Sequence, residues 1–310
     1  MKENLQKIDL NILENITDLN AVPSGAVNIR LNGQPVVRHS TPNVSISSNP
    51  ENNGLLVEVK PHSKKEVVHV PVILTTPGLK EVVYNTFIIG ENAEAEIIAG
   101  CGIHNTCQEA SRHDGVHEII VKKGASLRYV EKHYGAGLPG SKKFLNPSTV
   151  ITIEEGGQAE LEMVQIAGVD DTNRYTKVVL AAQAQLKITE RILTQNEQTA
   201  CSEIQVFLAG ENSNAQILSR GVAQDNSKQV FKAALIGQAN ATGHLECDAL
   251  IMDQALIQSI PELRAENSEA VLTHEAAIGK IAGEQLIKLM SLGLSEQEAE
   301  NRRPDRKSVV

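Results

Sequence analysis

One stretch of this sequence brings a thiol close to an imidazole and a carboxylate. Cys247 stands in Gly243-His-Leu-Glu-Cys-Asp-Ala-Leu, and His274 and Glu275 follow in Thr273-His-Glu-Ala-Ala-Ile-Gly-Lys-Ile. Thiolate, imidazole and carboxylate are donors that iron and zinc accept, so the segment can hold a metal ion or a nascent cluster. Residue type leaves two readings of Cys247 open: a buried structural cysteine, or a thiol made reactive by its polar neighbours. His274 and Glu275 are adjacent, so on a strand they would face opposite ways. Both can approach one ion only at a turn or helix start, and a helical pattern beginning just after them permits this.

A second group of donors is Cys101-x-x-His104-x-x-Cys107, with His113 and His117 close behind. This spacing spells half of a zinc site, but no fourth ligand is identified and spacing alone does not make the side chains converge. Gly135-Ala-Gly-Leu-Pro-Gly140 spells GxGxxG, yet it contains Pro139 and opens no helix, which removes the context a dinucleotide site requires. The sequence has neither a GxxxxGK[ST] phosphate loop nor a GxSxG nucleophile elbow. Acidic residues are plentiful, but no pair stands out as a glycosidase-type acid and base.

The elements that must position these residues are short strands. Hydrophobic residues make up 41% of the chain, whereas aromatics are only 3%, so aliphatic side chains supply the apolar mass, as suits thin repeated layers. A small residue followed two positions on by an aliphatic one recurs as Ala95-Glu-Ile, Ala125-Ser-Leu, Ala159-Glu-Leu, Ala184-Gln-Leu, Ala215-Gln-Ile and Ala270-Val-Leu. Several copies follow Gly or Asn turns, as at Gly90-Glu-Asn and Gly210-Glu-Asn. Such strands without intervening helices predict stacked coils that share one core, a parallel β-helix; a β-sandwich is the alternative, since periodicity does not distinguish the pairing sense.

The flanks differ from this core. Residues 1–30 form a short helical or irregular segment with an amphipathic stretch from Leu5 to Leu19, and the Ser/Asn/Pro-rich run from Pro42 to Asn53 predicts a loop. The β-helix is expected over 31–272 and a helical segment over 273–310. There Leu286, Leu289 and Met290 share a face, Gly293 suits a C-cap and Ser295-Glu-Gln-Glu298 spells a capping box. These helices either cap the solenoid or bind a partner.

The formal charge of −9, with no cationic block, argues against nucleic-acid or anionic-membrane binding. The N-terminal residues lack an apolar core region and no long apolar run follows, so a cytoplasmic location is expected. Four cysteines are too few for a disulfide framework and are expected to be free thiols.

The motifs at Ser111-Arg-His-Asp-Gly-Val-His-Glu-Ile-Ile-Val, Cys247-Asp-Ala-Leu, Thr273-His-Glu and Glu284-Gln-Leu-Ile-Lys resemble those of the SufB/SufD proteins of SUF iron–sulfur cluster assembly, in particular the short SufB-like form. The resemblance implies a right-handed parallel β-helix and a scaffold holding a transient iron–sulfur cluster at Cys247, His274 and Glu275. It further implies that Cys101 accepts sulfur derived from a cysteine desulfurase and passes it through the β-helix interior, with His133 near the route. The C-terminal helices would dock a SufC-like ABC ATPase, and the chain would pair with itself or with a SufB/SufD paralogue. Thr273 stands where SufB proteins carry another acid. Alternatives are a SufD-like adaptor without its own cluster and a β-helix carbohydrate-active enzyme; flavin binding is left open.

Overall fold

The computed structural model describes residues 5–50 and 52–280. One helix, α1 (Lys7–Thr17), precedes the strands β1 (Ala26–Leu31), β2 (Gln34–His39), β3 (Val44–Ser48), β4 (Leu55–Val59), β5 (Glu66–His69) and β6 (Val72–Leu74). Longer strands follow: β7 (Lys80–Ile89), β8 (Glu94–Asn105), β9 (Ser111–Val121), β10 (Ser126–Gly137), β11 (Lys143–Leu145), β12 (Ser148–Ile153), β13 (Gln158–Ala167) and β14 (Asp171–Leu180). The last are β15 (Gln185–Thr194), β16 (Thr199–Leu208), β17 (Asn214–Ala223), β18 (Lys228–Gly237), β19 (Thr242–Ile251), β20 (Leu256–Ala265) and β21 (Val271–Lys280).

From β7 onward the chain alternates between two sheets, and each strand pairs in parallel with strands of the neighbouring coils in its own sheet. This is the expected parallel β-solenoid, of about eight turns. The first sheet runs β2-β1-β5-β8-β10-β13-β15-β17-β19-β21, and the second runs β20-β18-β16-β14-β11-β9-β7-β4-β3.

Alternation builds the core. In β16 every second residue from Ala200 to Leu208 is buried, while Cys201, Glu203 and Gln205 lie on the outer face. Aliphatic side chains from both sheets meet inside, including Ile97, Ile119, Ile151, Leu161, Ile188, Ile204, Ile217 and Leu245. Removing such a side chain from water contributes roughly 1.5–3 kcal/mol.

The corners leading into the first sheet repeat one geometry. Asn92, Gly124, Gly156, Gln183 and Asn212 all have left-handed backbone, and the amide of each donates to a carbonyl in the corner of the next coil.

Helix α1 seals the outer face of β8, burying Ile12, Leu13 and Ile16. A Cβ on Gly100 would stand 2.6 Å from the Ile16 carbonyl oxygen, and one on Gly102 would stand 2.1 Å from Ile12 Cγ2. These glycines let helix and strand approach.

Two boundary expectations are corrected. The run from Pro42 to Asn53 contains strand β3, because Val44 and Ile46 alternate inward and pair antiparallel with β4. Residues 273–280 are strand as well: β21 pairs with β19 as far as Lys280, so the pleat continues through His274 and Glu275. The remainder of the expected C-terminal helical segment lies outside the described residues. At this end Leu256, Ile260, Leu263, Val271 and Ile278 are exposed, on the terminal strands of their sheets.

Candidate functional site

The interior is not uniformly apolar. Strand parity turns Cys101 of β8 inward, beside Val72, Leu74, Ile103, Leu145 and Val169. Its register partner on β10 is His133. His113 of β9 faces the same thiol from the second sheet, and the register partner of His113 on β7 is Glu81.

Two matching supports hold these imidazoles. Glu81 Oε1 lies 3.0 Å from His113 Nδ1, while Glu81 Oε2 accepts from Arg30 Nε at 3.0 Å. On the other side Glu131 Oε1 lies 3.1 Å from His133 Nε2 and accepts from Arg174 Nη1 at 2.7 Å. The Tyr129 hydroxyl donates to Glu131 Oε2 at 3.0 Å.

These neighbours decide the charges. Burial opposes ionisation of Cys101, but His113 and His133 outweigh it and bring the thiol down to about 7. Burial likewise opposes protonation of His113, yet Cys101 and Glu81 raise it to about 10. Burial works to raise the Glu131 carboxyl, and Arg174 and His133 instead hold it well below the usual range. For Glu190, burial prevails over Arg174 and Ser202 and the carboxyl is raised.

The polar interior continues toward the far end. One register column of the first sheet runs Glu131, Met163, Glu190, Ser219, Cys247, and all five side chains are buried. Ser202 donates to Glu190 Oε1 at 2.6 Å, and Arg174 Nε lies 3.6 Å from the same oxygen. Cys101 and Cys247 are thus two inward thiols separated by five strand spacings, about 24 Å at the usual 4.8 Å per strand.

Cys247 is 2% exposed, and burial pushes its thiol up. His274 pairs in register with Leu245, so its ring joins the inward face one step along from Cys247. Its Nε2 is shielded from solvent and has no hydrogen-bond partner among the described residues. Glu275 pairs with Glu246 on the opposite face and is exposed. The expected convergence of Cys247, His274 and Glu275 is therefore corrected: one strand carries the last two, and its pleat turns Glu275 outward. Among the described residues no three His, Cys, Asp or Glu side chains gather as a metal site.

The Cys101, His104, Cys107 spacing likewise does not converge. His104 is an odd number of residues along β8 from Cys101 and takes the opposite face. Cys107 lies in the following turn, bonded to Asn105 Oδ1 and the Glu109 carbonyl.

Sequence reasoning missed Glu81, Glu131, Arg174 and Glu190. Their signal was available: each is a charged residue at an inward position, as in Tyr129-Val-Glu131-Lys-His133, where Tyr129, Glu131 and His133 share the inward parity of the strand.

Comparison with known proteins agrees with this architecture. A family described as SUF system FeS cluster assembly, SufBD core domain, matches residues 74–302. An iron–sulfur cluster assembly SufBD family protein of Archaeoglobus fulgidus is 33% identical over 249 residues, covering 80% of this chain and 66% of the relative. One from Methanocaldococcus jannaschii is 29% identical, covering 79% and 77% respectively. The iron–sulfur cluster assembly protein SufB of Bacillus subtilis is 30% identical over 68% of this chain and 45% of its own length. The chain thus spans between about half and about three quarters of these relatives. With its solenoid, its interior cysteines and a family match over most of its length, the chain belongs to the SufBD core family of iron–sulfur cluster assembly proteins.

Proposed function

We propose that this protein is a scaffold on which iron–sulfur clusters are built, with sulfur accepted at Cys101 and iron and sulfide gathered at the Cys247 end. The observation that carries this reading is the column Glu131, Met163, Glu190, Ser219 and Cys247, which with Arg174 sets charged and polar groups between the coils of the two inward thiols, in a core whose main cluster is mostly aliphatic. Buried charges are costly unless they are paired, so Glu131, Arg174 and Glu190 inside a β-solenoid call for a functional reason. The cluster is cargo, delivered onward rather than retained.

A single chain brings Cys247 and His274 to one inward face, short of the four ligands a cluster usually takes. Further donors would come from a second chain meeting the exposed last coil, either another copy or a SufB/SufD paralogue. Glu275, outward on that coil, would serve such a junction. The segment 281–310 would dock a SufC-like ABC ATPase whose cycle opens and closes the junction.

An adaptor that holds no cluster is the second reading, and the inward Cys247 disfavours it. The carbohydrate-enzyme reading fares worse: in the groove on the outer face of the first sheet, Glu96 is paired with Arg128 and Glu160 with Lys187, which takes both carboxylates up in salt bridges.

The test is anaerobic reconstitution with the ATPase, read by absorption and by iron and sulfide content. Cys247→Ser should lose most of the cluster, and His274→Ala should lose less. Equal iron and sulfide in Cys247→Ser and the parent protein would remove Cys247 from the site. Stoichiometric zinc in aerobically purified protein, lost on Cys101→Ser, would overturn the sulfur-acceptor role of Cys101.

A further inference from the structure

Of the two inward thiols, one sits between imidazoles and the other does not. Cys201 and Cys247 are both pushed up by burial, and Cys247 has serine hydroxyls, Ser219 and Ser259, as its inward neighbours. Cys101 has His113 on one side and His133 on the other, each backed by a carboxylate that is itself held by an arginine.

The Glu81 side is the more telling. Glu81 fixes the His113 ring through Nδ1, and Nε2, in a ring only 2% exposed, has no hydrogen-bond partner among the described residues; the group beside it is the Cys101 thiol. A buried ring nitrogen left in this way costs free energy unless the neighbouring group satisfies it, and here that group is sulfur. Arg30, fixed by Glu81 and by Asn53 Oδ1, closes the arrangement toward the N-terminal end.

We infer that Cys101, His113 and Glu81 act as a thiolate–imidazolium–carboxylate unit, in which His113 holds the thiol proton and Glu81 orients the ring. This rests, for its biological use, on the reading of Cys101 as sulfur acceptor. The chemistry then balances without an external reductant. The Cys101 thiolate attacks the outer sulfur of a donor persulfide, R–S–SH. A sulfur–sulfur bond forms at Cys101 as the donor's own sulfur–sulfur bond breaks, and the donor leaves as R–S⁻. The proton held on His113 passes to that thiolate, giving R–SH, neutral imidazole and Cys101 persulfide. His113 touches the reacting sulfur, whereas Glu81 and Arg30 are positioning residues. The lowered Cys101 and raised His113 agree in direction with such a pair.

The experiment uses the full chain carrying Cys107→Ser, Cys201→Ser and Cys247→Ser, so that Cys101 is its sole thiol. Thiolate ultraviolet absorbance is followed from about pH 4 to about pH 10, with the additional Cys101→Ser protein as the blank. The midpoint should lie near neutrality. His113→Gln should move it to the ordinary thiol value of about 8.5, cutting the thiolate fraction at pH 7 about fifteen-fold. Glu81→Gln, which keeps the imidazole, should give a smaller upward shift. Circular dichroism checks each fold, and if neither variant folds the parent titration decides. A parent midpoint at or above the ordinary value, or one unchanged in folded His113→Gln, overturns the inference.

Loading with a low-molecular-weight persulfide, mapped by mass spectrometry, separates the two claims. A neutral midpoint without persulfide on Cys101 sinks the acceptor role and leaves the pair standing. Persulfide on Cys101 with an ordinary midpoint does the reverse.

Discussion

Arg174 reaches across the solenoid interior to Glu131, placing Nη1 2.7 Å from the carboxylate where both side chains are at most 3% exposed. The same guanidinium lies beside Glu190, so one cation serves two buried acids from different coils. Removing it strands Glu131, because a buried charge without its partner costs far more than the pair contributes. Arg174→Leu should therefore lose about 3–5 kcal/mol in denaturant unfolding, and adding Glu131→Gln should recover part of that. A loss below about 1 kcal/mol would show that the interior is wetter than this packing implies.

Close approach of α1 to β8 gives a second expectation. Gly102→Val puts side-chain atoms where Ile12 Cγ2 already lies, so the helix must lift. Overpacking of this kind costs about 1–3 kcal/mol. Limited proteolysis should cut the variant near residues 18–25 much faster than the parent protein. Equal protection in both would mean that α1 is held by contacts other than this face.

Acid sensitivity should trace to His117. Burial lowers this imidazole to about 4, so between that value and the unfolded value of about 6.5 the unfolded chain binds a proton that the native state refuses. Stability from this group is present above the unfolded value and is lost as pH falls through the window. The loss from pH 6.5 to pH 5 is about 1.5 kcal/mol. His69, also lowered by burial, adds in the same direction, whereas the raised Glu190, His113 and His133 oppose it. Comparing His117→Asn with the parent protein at the two pH values isolates the contribution of this imidazole: the variant should show a flatter dependence. Identical slopes would rule His117 out as its source.

Self-association and ATPase docking should be separable. Self-association would use the exposed last coil, and docking would use residues beyond it. Deleting everything after Ala282 ought to leave a dimer in light scattering and abolish ATPase binding in a pull-down. A monomer, or undiminished binding, would reverse the assignment of the two surfaces.

Composition and pattern favoured a parallel β-solenoid over a β-sandwich, because a small residue and an aliphatic one at alternate positions, recurring after Asn or Gly corners, suit stacked coils, but periodicity does not give the pairing sense and the family resemblance decided it. The motifs around Cys247 and Ser111 were likewise legible as a family. Register was not. Ala95, Ala159 and Ala215 fall on one inward column, whereas Ala125, Ala184 and Ala270 fall two residues earlier on its neighbour. Both columns face inward, so alternation cannot tell them apart, and only the hydrogen bonds between coils choose. The same pairing decided the sites. It carried β21 past His274 and Glu275 and turned one of them outward, overriding the helical pattern that follows. It also set His113, held by Glu81 of its own sheet, against Cys101 of the other, and Arg174 against Glu131. Such contacts bridge separate strands and, for the cysteine and the arginine, the two sheets, so no spacing along the chain encodes them.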